Sequence, residues 1–367
     1  MNKAAASVAG GLSKGALGLI WPTDVLTLRG LAALYIVLAV LVSTPLWASS
    51  YIITIATLVL YTALLGQSWN LMLGFAGLLS IGHALFVGIG SYTAGYLFSK
   101  LGIPPILGVF PAIAIAVLVG SVIGYLGFRF SVGGVYFALL TIAFAEFTRI
   151  MADHADFLGG TEGMFLLVSQ ADRQGVDLIR LRGHPVMFFY VILGLAVGTL
   201  ALCRALLKSK LGYYWQAIRD DQDAAEALGI NVFRYKMFAV MISSALAGVG
   251  GVFYAFYNNN LFPESTFSIE RSIELTLAPI VGGVGTLFGP IVGAFILTPL
   301  AEFITWLIGF LKSAGVIDPK LKLNGLKLLI WGFAVVLIVM FRPRGIWPWF
   351  RDLLGLRRAP DDHRRSP

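Results

Sequence analysis

The chain has 367 residues, of which 58% are hydrophobic and only 13% charged, with a mean hydropathy of +0.84. A soluble domain carries roughly 45–50% apolar and 25% charged residues, so this composition excludes a water-exposed globular fold and indicates a chain dissolved in a bilayer. The net charge of +8 does not call for nucleic acid as a partner, because the basic residues stand at the ends of apolar runs, where they set topology.

Residues 1–30 read as a cytoplasmic N-terminal segment. Lys3 and Lys14 flank no sustained apolar core, so a cleaved signal peptide is not expected. Runs long enough to cross about 30 Å of hydrocarbon then follow at Leu31–Trp47, Tyr51–Asn70, Leu78–Ser99, Pro105–Gly127, Val135–Ile150, Val186–Leu207, Met237–Tyr257, Ile273–Gly285, Leu287–Leu311 and Leu326–Phe341. They predict an all-α, polytopic integral membrane protein: about ten transmembrane helices, including interrupted Gly-rich segments, over residues 31–341. A cytoplasmic N-terminus puts most of the 27 basic residues inside, among them Arg204 to Lys236 and the group from Arg342 to Arg365. Lys312, Lys320, Lys322 and Lys327 fall outside and oppose the assignment. On this topology residues 151–185 form an external loop and residues 208–236 a cytoplasmic one. Both termini are then cytoplasmic, and residues 342–367 form a basic tail suited to anionic membrane lipid.

Several chemistries find no residues to carry them. There is no Gly-Lys-Ser/Thr phosphate loop, so ATP hydrolysis by this chain is not expected. His83, His154, His184 and His363 are too dispersed for a zinc helix, and the single Cys203 can make no internal disulfide or cysteine metal site. No metal or other cofactor is expected on the chain.

Glycine punctuates the spans in two places. Gly74, Gly77 and Gly82 in the first half, and Gly282, Gly285 and Gly289 in the second with Pro279 and Pro290 beside them, mark interrupted helices at similar positions. Such pairs can border a transport pathway. Gly285, Gly289 and Gly293, like Ala116, Gly120 and Gly124, lie four apart and give smooth helix faces for close packing. Polar side chains within spans tend to face a cavity or a partner, which makes Asn70, Ser80 and His83 pathway candidates along with Gly74, Gly77, Gly282 and Gly285. Glu146 instead has Arg149 one turn away and is expected to form a local ion pair.

The cytoplasmic loop carries the clearest pattern, from Gly212 to Asn231. It predicts one or two short helices ended by Gly229, whose missing Cβ suits a left-handed residue. Ala217, Ile218, Ala224, Ala225 and Leu228 form a small apolar face, while Arg219, Asp220, Asp221, Asp223 and Glu226 supply a charged rim. The face is sized for a partner's groove; the plainer alternative is an amphipathic helix lying on its own membrane.

Ala217-Ile218-Arg219-Asp220-Asp221 through Ala224-Ala225-Glu226-Ala227-Leu228-Gly229-Ile230 resembles the coupling motif of permeases in the branched-chain amino-acid ABC transporter family, LivM-like subunits in particular. Trp69 through Ala84 is similar to the family's early Gly-rich segment, Gly134 through Thr141 to its mid-chain span, Gly159-Gly160-Thr161-Glu162-Gly163 to its external turn, and Phe341-Arg342-Pro343-Arg344-Gly345 to its C-terminal boundary. Tyr213 departs from the pattern, since family members often have Arg after the first Gly. The resemblance covers roughly residues 50–350. It implies a permease subunit of a bacterial inner-membrane importer working by alternating access on branched-chain or related aliphatic amino acids. It also implies a homologous second permease subunit, two ATP-binding subunits that carry ATP and Mg, and a periplasmic solute-binding protein. A urea or short-amide importer of the same family is the alternative. An ion-gradient-driven secondary transporter fits the hydropathy, but lacks a string of membrane carboxylates and leaves the loop unexplained.

Overall fold

The computed structural model describes residues 28–167, 175–313, 332–333, 335–338, 340–342 and 345–353. Helices dominate: α1 (Leu28–Trp47), α2 (Ser50–Asn70), α3 (Ala84–Leu101), α4 (Pro105–Arg129), α5 (Val135–Asp153), α6 (Pro185–Lys208), α7 (Lys210–Asp220), α8 (Gln222–Ala227), α9 (Val232–Asn258), α10 (Pro263–Thr266), α11 (Ile269–Gly282), α12 (Gly289–Ser313) and α13 (Ile346–Leu353). Inside a bilayer only such internally hydrogen-bonded backbone is tolerated. Six stretches are long and apolar enough to cross a membrane by themselves: α2 with the π-helical turn Leu71–Phe75 that continues it, then α4, α5, α6, α9 and α12.

Of the other expected spans, the first, Leu31–Trp47, is helical within α1, and the rest differ from the sequence pattern. The run expected to cross from Leu78 becomes helical only at Ala84, because the backbone after Phe75 turns through Gly77 at φ +72°. That turn is held open by side chains. Trp69 Nε1 donates to the Ser80 carbonyl at 2.6 Å, and Thr141 Oγ1 accepts the backbone N–H groups of Ile81 and Gly82 at 3.1 and 3.2 Å. The expected crossing Ile273–Gly285 is the 14-residue α11, ending at Gly282 and about 21 Å long, short of the hydrocarbon thickness. The tenth expected span lies largely outside the described residues, as do Lys320, Lys322, Lys327 and residues 354–367.

The centre is α9, packed on α3 and α4 along small residues. A Cβ on Gly248 would stand 3.1 Å from that of Ala116, and one on Gly90 would stand 2.2 Å from the Gly248 carbonyl oxygen. The backbones therefore approach as closely as glycine allows. Phe86, Val87, Phe253 and Phe256 fill the core between these helices. At one end of the bundle β1 (Met164–Phe165) pairs antiparallel with β4 (Asn260–Leu261), beside the short hairpin β2 (Val176–Asp177) and β3 (Arg182–Gly183). At the opposite end lie α7 and α8. Glu146 and Arg149 form the expected ion pair at 2.5 Å, and Arg149 also holds Asp153 at 2.8 Å.

Candidate functional site

The loop between α6 and α9 folds as a helical hairpin. Asp221, in an extended conformation, separates α7 from α8 and caps α8 by accepting the Ala224 N–H at 3.0 Å. The far end of α8 closes as the sequence predicts: Gly229 is left-handed at φ +84°. The Gly229 N–H donates to the Glu226 carbonyl at 2.9 Å and the Ile230 N–H to the Ala225 carbonyl at 3.1 Å, the paired bonds of a Schellman cap.

The hairpin has its own small core, which divides the predicted apolar face in two. Ile218 (4% exposed) and Ala225 (2% exposed) pack on Val232 within the chain, with Ala217 against them. Ala224 and Leu228 point outward, Leu228 at 82% exposure. Ala227 joins them, and Asp220, Asp221, Asp223 and Glu226 are exposed around them, so the surface offered to a partner is a small apolar tip in an acidic rim. The anchor of the hairpin escaped sequence analysis. Trp215 is fully buried and donates Nε1 to the Tyr235 carbonyl on α9 at 2.8 Å; its only signal was an indole amid a polar loop.

Arg219 turns away from the acidic tip and into the bundle. Its Nη1 donates to the Gly74 carbonyl at 2.6 Å, while Nε and Nη2 hold Asp220 Oδ1 at 3.2 and 3.0 Å. Gly74 lies in the π-helical turn that ends α2, and a Cβ there would fall 2.1 Å from Asn70 Oδ1 and 2.6 Å from the Gly285 nitrogen. Asn70, almost wholly buried, accepts the Gly285 N–H at 2.8 Å and donates Nδ2 to the Thr286 carbonyl at 3.0 Å. Both Gly-rich breaks and the α7–α8 hairpin thus meet at one junction, where Asn70, Gly74, Gly77, Gly285 and Arg219 are in contact. Gly345 packs on the second break, where a Cβ on it would fall 2.3 Å from the Gly283 Cα.

The remaining pathway candidates sit elsewhere. Gly282 packs against the Gly289 carbonyl at the α11–α12 break. Ser80 and His83 are fully buried in the first break, where His83 Nε2 lies 3.0 Å from Ser68 Oγ and Ser68 is tied to Ser243 on α9. All seven lie at the two breaks. Among the described residues no group of three or more His, Cys, Asp or Glu side chains could hold a metal ion.

A helical bundle with several crossings, two broken helices and a polar hairpin wired to the breaks defines a polytopic membrane transport subunit. The sequence profile described as "Branched-chain amino acid transport system / permease component" matches residues 51–341, and the chain belongs to that family. It is 30% identical over 343 residues to the high-affinity branched-chain amino acid transport system permease protein LivM of Escherichia coli, covering 88% of this chain and 76% of the relative. The LivM of Salmonella typhimurium is 29% identical over 341 residues, covering 87% and 75%. The probable branched-chain amino acid transport permease protein LivH of Methanocaldococcus jannaschii is 26% identical over 276 residues, covering 71% and 78%. No solved structure matches the chain. The protein is a permease subunit of an ABC importer and works within a transporter complex.

Proposed function

We propose that this chain forms half of the translocation unit of an inner-membrane importer for branched-chain or related aliphatic amino acids. A homologous permease supplies the other half, two subunits bind and hydrolyse ATP with Mg, and a periplasmic solute-binding protein delivers the substrate. The termini and the α7–α8 hairpin are cytoplasmic, which the dense basic group from Arg204 to Lys236 supports. Residues 1–30, 31–341 and 342–367 act as N-terminal segment, permease body and lipid-facing tail.

The observation that carries this reading is the bond from Arg219 to the Gly74 carbonyl. A partner that seizes the tip at Ala224 and Leu228 and moves on ATP binding would pull on Gly74 through Arg219, and on the α11–α12 break through Asn70. Both interrupted helices would shift together, which alternating access between the two sides requires. Reconstituting the complete transporter with Leu228→Glu tests this. An acidic side chain at the apolar tip should weaken docking by about 2 kcal/mol, the scale of an interface hot spot, with ATP hydrolysis stimulated by loaded binding protein and leucine uptake falling together. Wild-type values of both would overturn the coupling role.

A further inference from the structure

Between α2, α11 and α12 lies a recess of about 210 Å³, lined by Tyr61, Arg271, Glu274 and Glu302 among apolar and threonine side chains. Tyr61 stands midway along the apolar stretch Ser50–Phe75 and Glu302 midway along Gly289–Ser313, so the recess lies near the middle of the bilayer. The Arg271 guanidinium is stacked 5.6 Å from the Tyr61 ring and 5.2 Å from that of Tyr254, with Nη1 donating to Glu274 Oε2 at 3.1 Å. A guanidinium carries five donors, so the Glu274 bond leaves donors for a second anion. The Tyr61 hydroxyl, on a side chain only 3% exposed, has no hydrogen-bond partner among the described residues. Glu302, on α12, also lines the recess and forms no ion pair among the described residues.

Ionised groups at this depth do not face lipid; they line a water-filled cavity or meet a partner. Glu274, which lines the recess with Arg271, and its neighbour Glu270 are both exposed on this chain, so this face meets water or a partner. Resting on the importer function proposed above, we infer that this recess is the chain's contribution to the substrate pathway. The substrate's α-carboxylate is taken by Arg271 and the Tyr61 hydroxyl, its ammonium by Glu302, and its aliphatic side chain by Leu58, Ala278 and Leu297. A cation and an anion lining one recess together with apolar surface match a zwitterionic aliphatic amino acid and do not match an uncharged amide, which needs neither charge. Arg271 opens a helix that begins at Ile269 within the bundle, a broken-helix setting suited to midplane substrate groups.

The test uses the complete transporter in proteoliposomes, with leucine as probe and saturating binding protein. Arg271→Gln should lower the leucine uptake rate on the order of tenfold, the effect of removing one charge-assisted bond, with subunit assembly unchanged. Arg271→Lys should recover part of it. Thr298→Cys, on the recess wall, should react with a water-soluble cationic thiol reagent and be protected during leucine turnover; the native Cys203 is buried and gives little background. Should Arg271→Gln fail to assemble, Glu302→Gln carries the uptake test. Wild-type uptake by an assembled Arg271→Gln or Glu302→Gln transporter, or no labelling of Thr298→Cys, overturns the inference. A wild-type complex that does not transport leucine would instead overturn the substrate assignment.

Discussion

Asn70 and Arg219 show how single side chains join segments far apart in sequence. Each satisfies backbone groups that the Gly-rich breaks leave without helical partners: Asn70 at Gly285 and Thr286, Arg219 at Gly74. Buried backbone groups must be paired somewhere, so removing the buried Asn70 side chain costs more than its own bonds. Asn70→Leu should destabilise the protein by about 2–6 kcal/mol, since two buried partners lose their bonds at about 1–3 kcal/mol each, and the thermal midpoint of the detergent-solubilised chain should fall accordingly. Arg219→Gln should act differently. Lying at the rim of the junction, it should leave folding near wild type but separate ATP hydrolysis from uptake, hydrolysis persisting while leucine accumulation drops. Tightly coupled wild-type behaviour in the variant would show that Arg219 transmits nothing.

At the scale of elements, the α7–α8 hairpin separates two kinds of position that look alike in sequence. Ala224 and Ala225 are adjacent alanines in one short helix, yet one is exposed and the other is 2% exposed against Ile218 and Val232. Ala225→Arg should therefore break the hairpin itself, because a buried charge without a partner is strongly unfavourable; limited proteolysis should cut the loop between α7 and α9 faster than in wild type. Gly229→Val places a branched side chain at φ +84°, at a cost of about 1–2 kcal/mol, and should produce a milder version of the same phenotype. Asp221 is the α8 cap as well as a rim charge, so Asp221→Ala should cost about 1 kcal/mol even without a partner present. Unchanged proteolysis of Ala225→Arg would mean that the hairpin core does not hold it.

For the whole molecule the open quantity is orientation. The junction of the two breaks with α7 and α8 lies at one end of the bundle, and the β1–β4 pair at the other. The proposed topology puts the first end in the cytoplasm. A cysteine introduced at Gly175 should be labelled by an impermeant thiol reagent in outer-membrane-permeabilised cells, and one at Gln222 should not be; the opposite pattern would reverse the orientation.

Hydropathy and glycine spacing alone determined the class of fold, most helix positions, the left-handed stop at Gly229, the Glu146–Arg149 pair and the two interrupted regions. These are local properties: a 20-residue apolar run, a missing Cβ and a three-residue spacing of opposite charges act on the chain segment that contains them. Tertiary structure decided which residues the breaks bring together, which alanine of α8 faces inward, and how Asn70, Gly74 and His83 are packed. It also placed Arg271 and Glu302 in the lining of one recess. Arg271 and Glu302 lie on different helices that pack beside α2, and their sequence spacing carries no record of that meeting. A charge inside a span is written in the sequence; whether it finds a partner, water or lipid depends on what the other helices bring to the same depth.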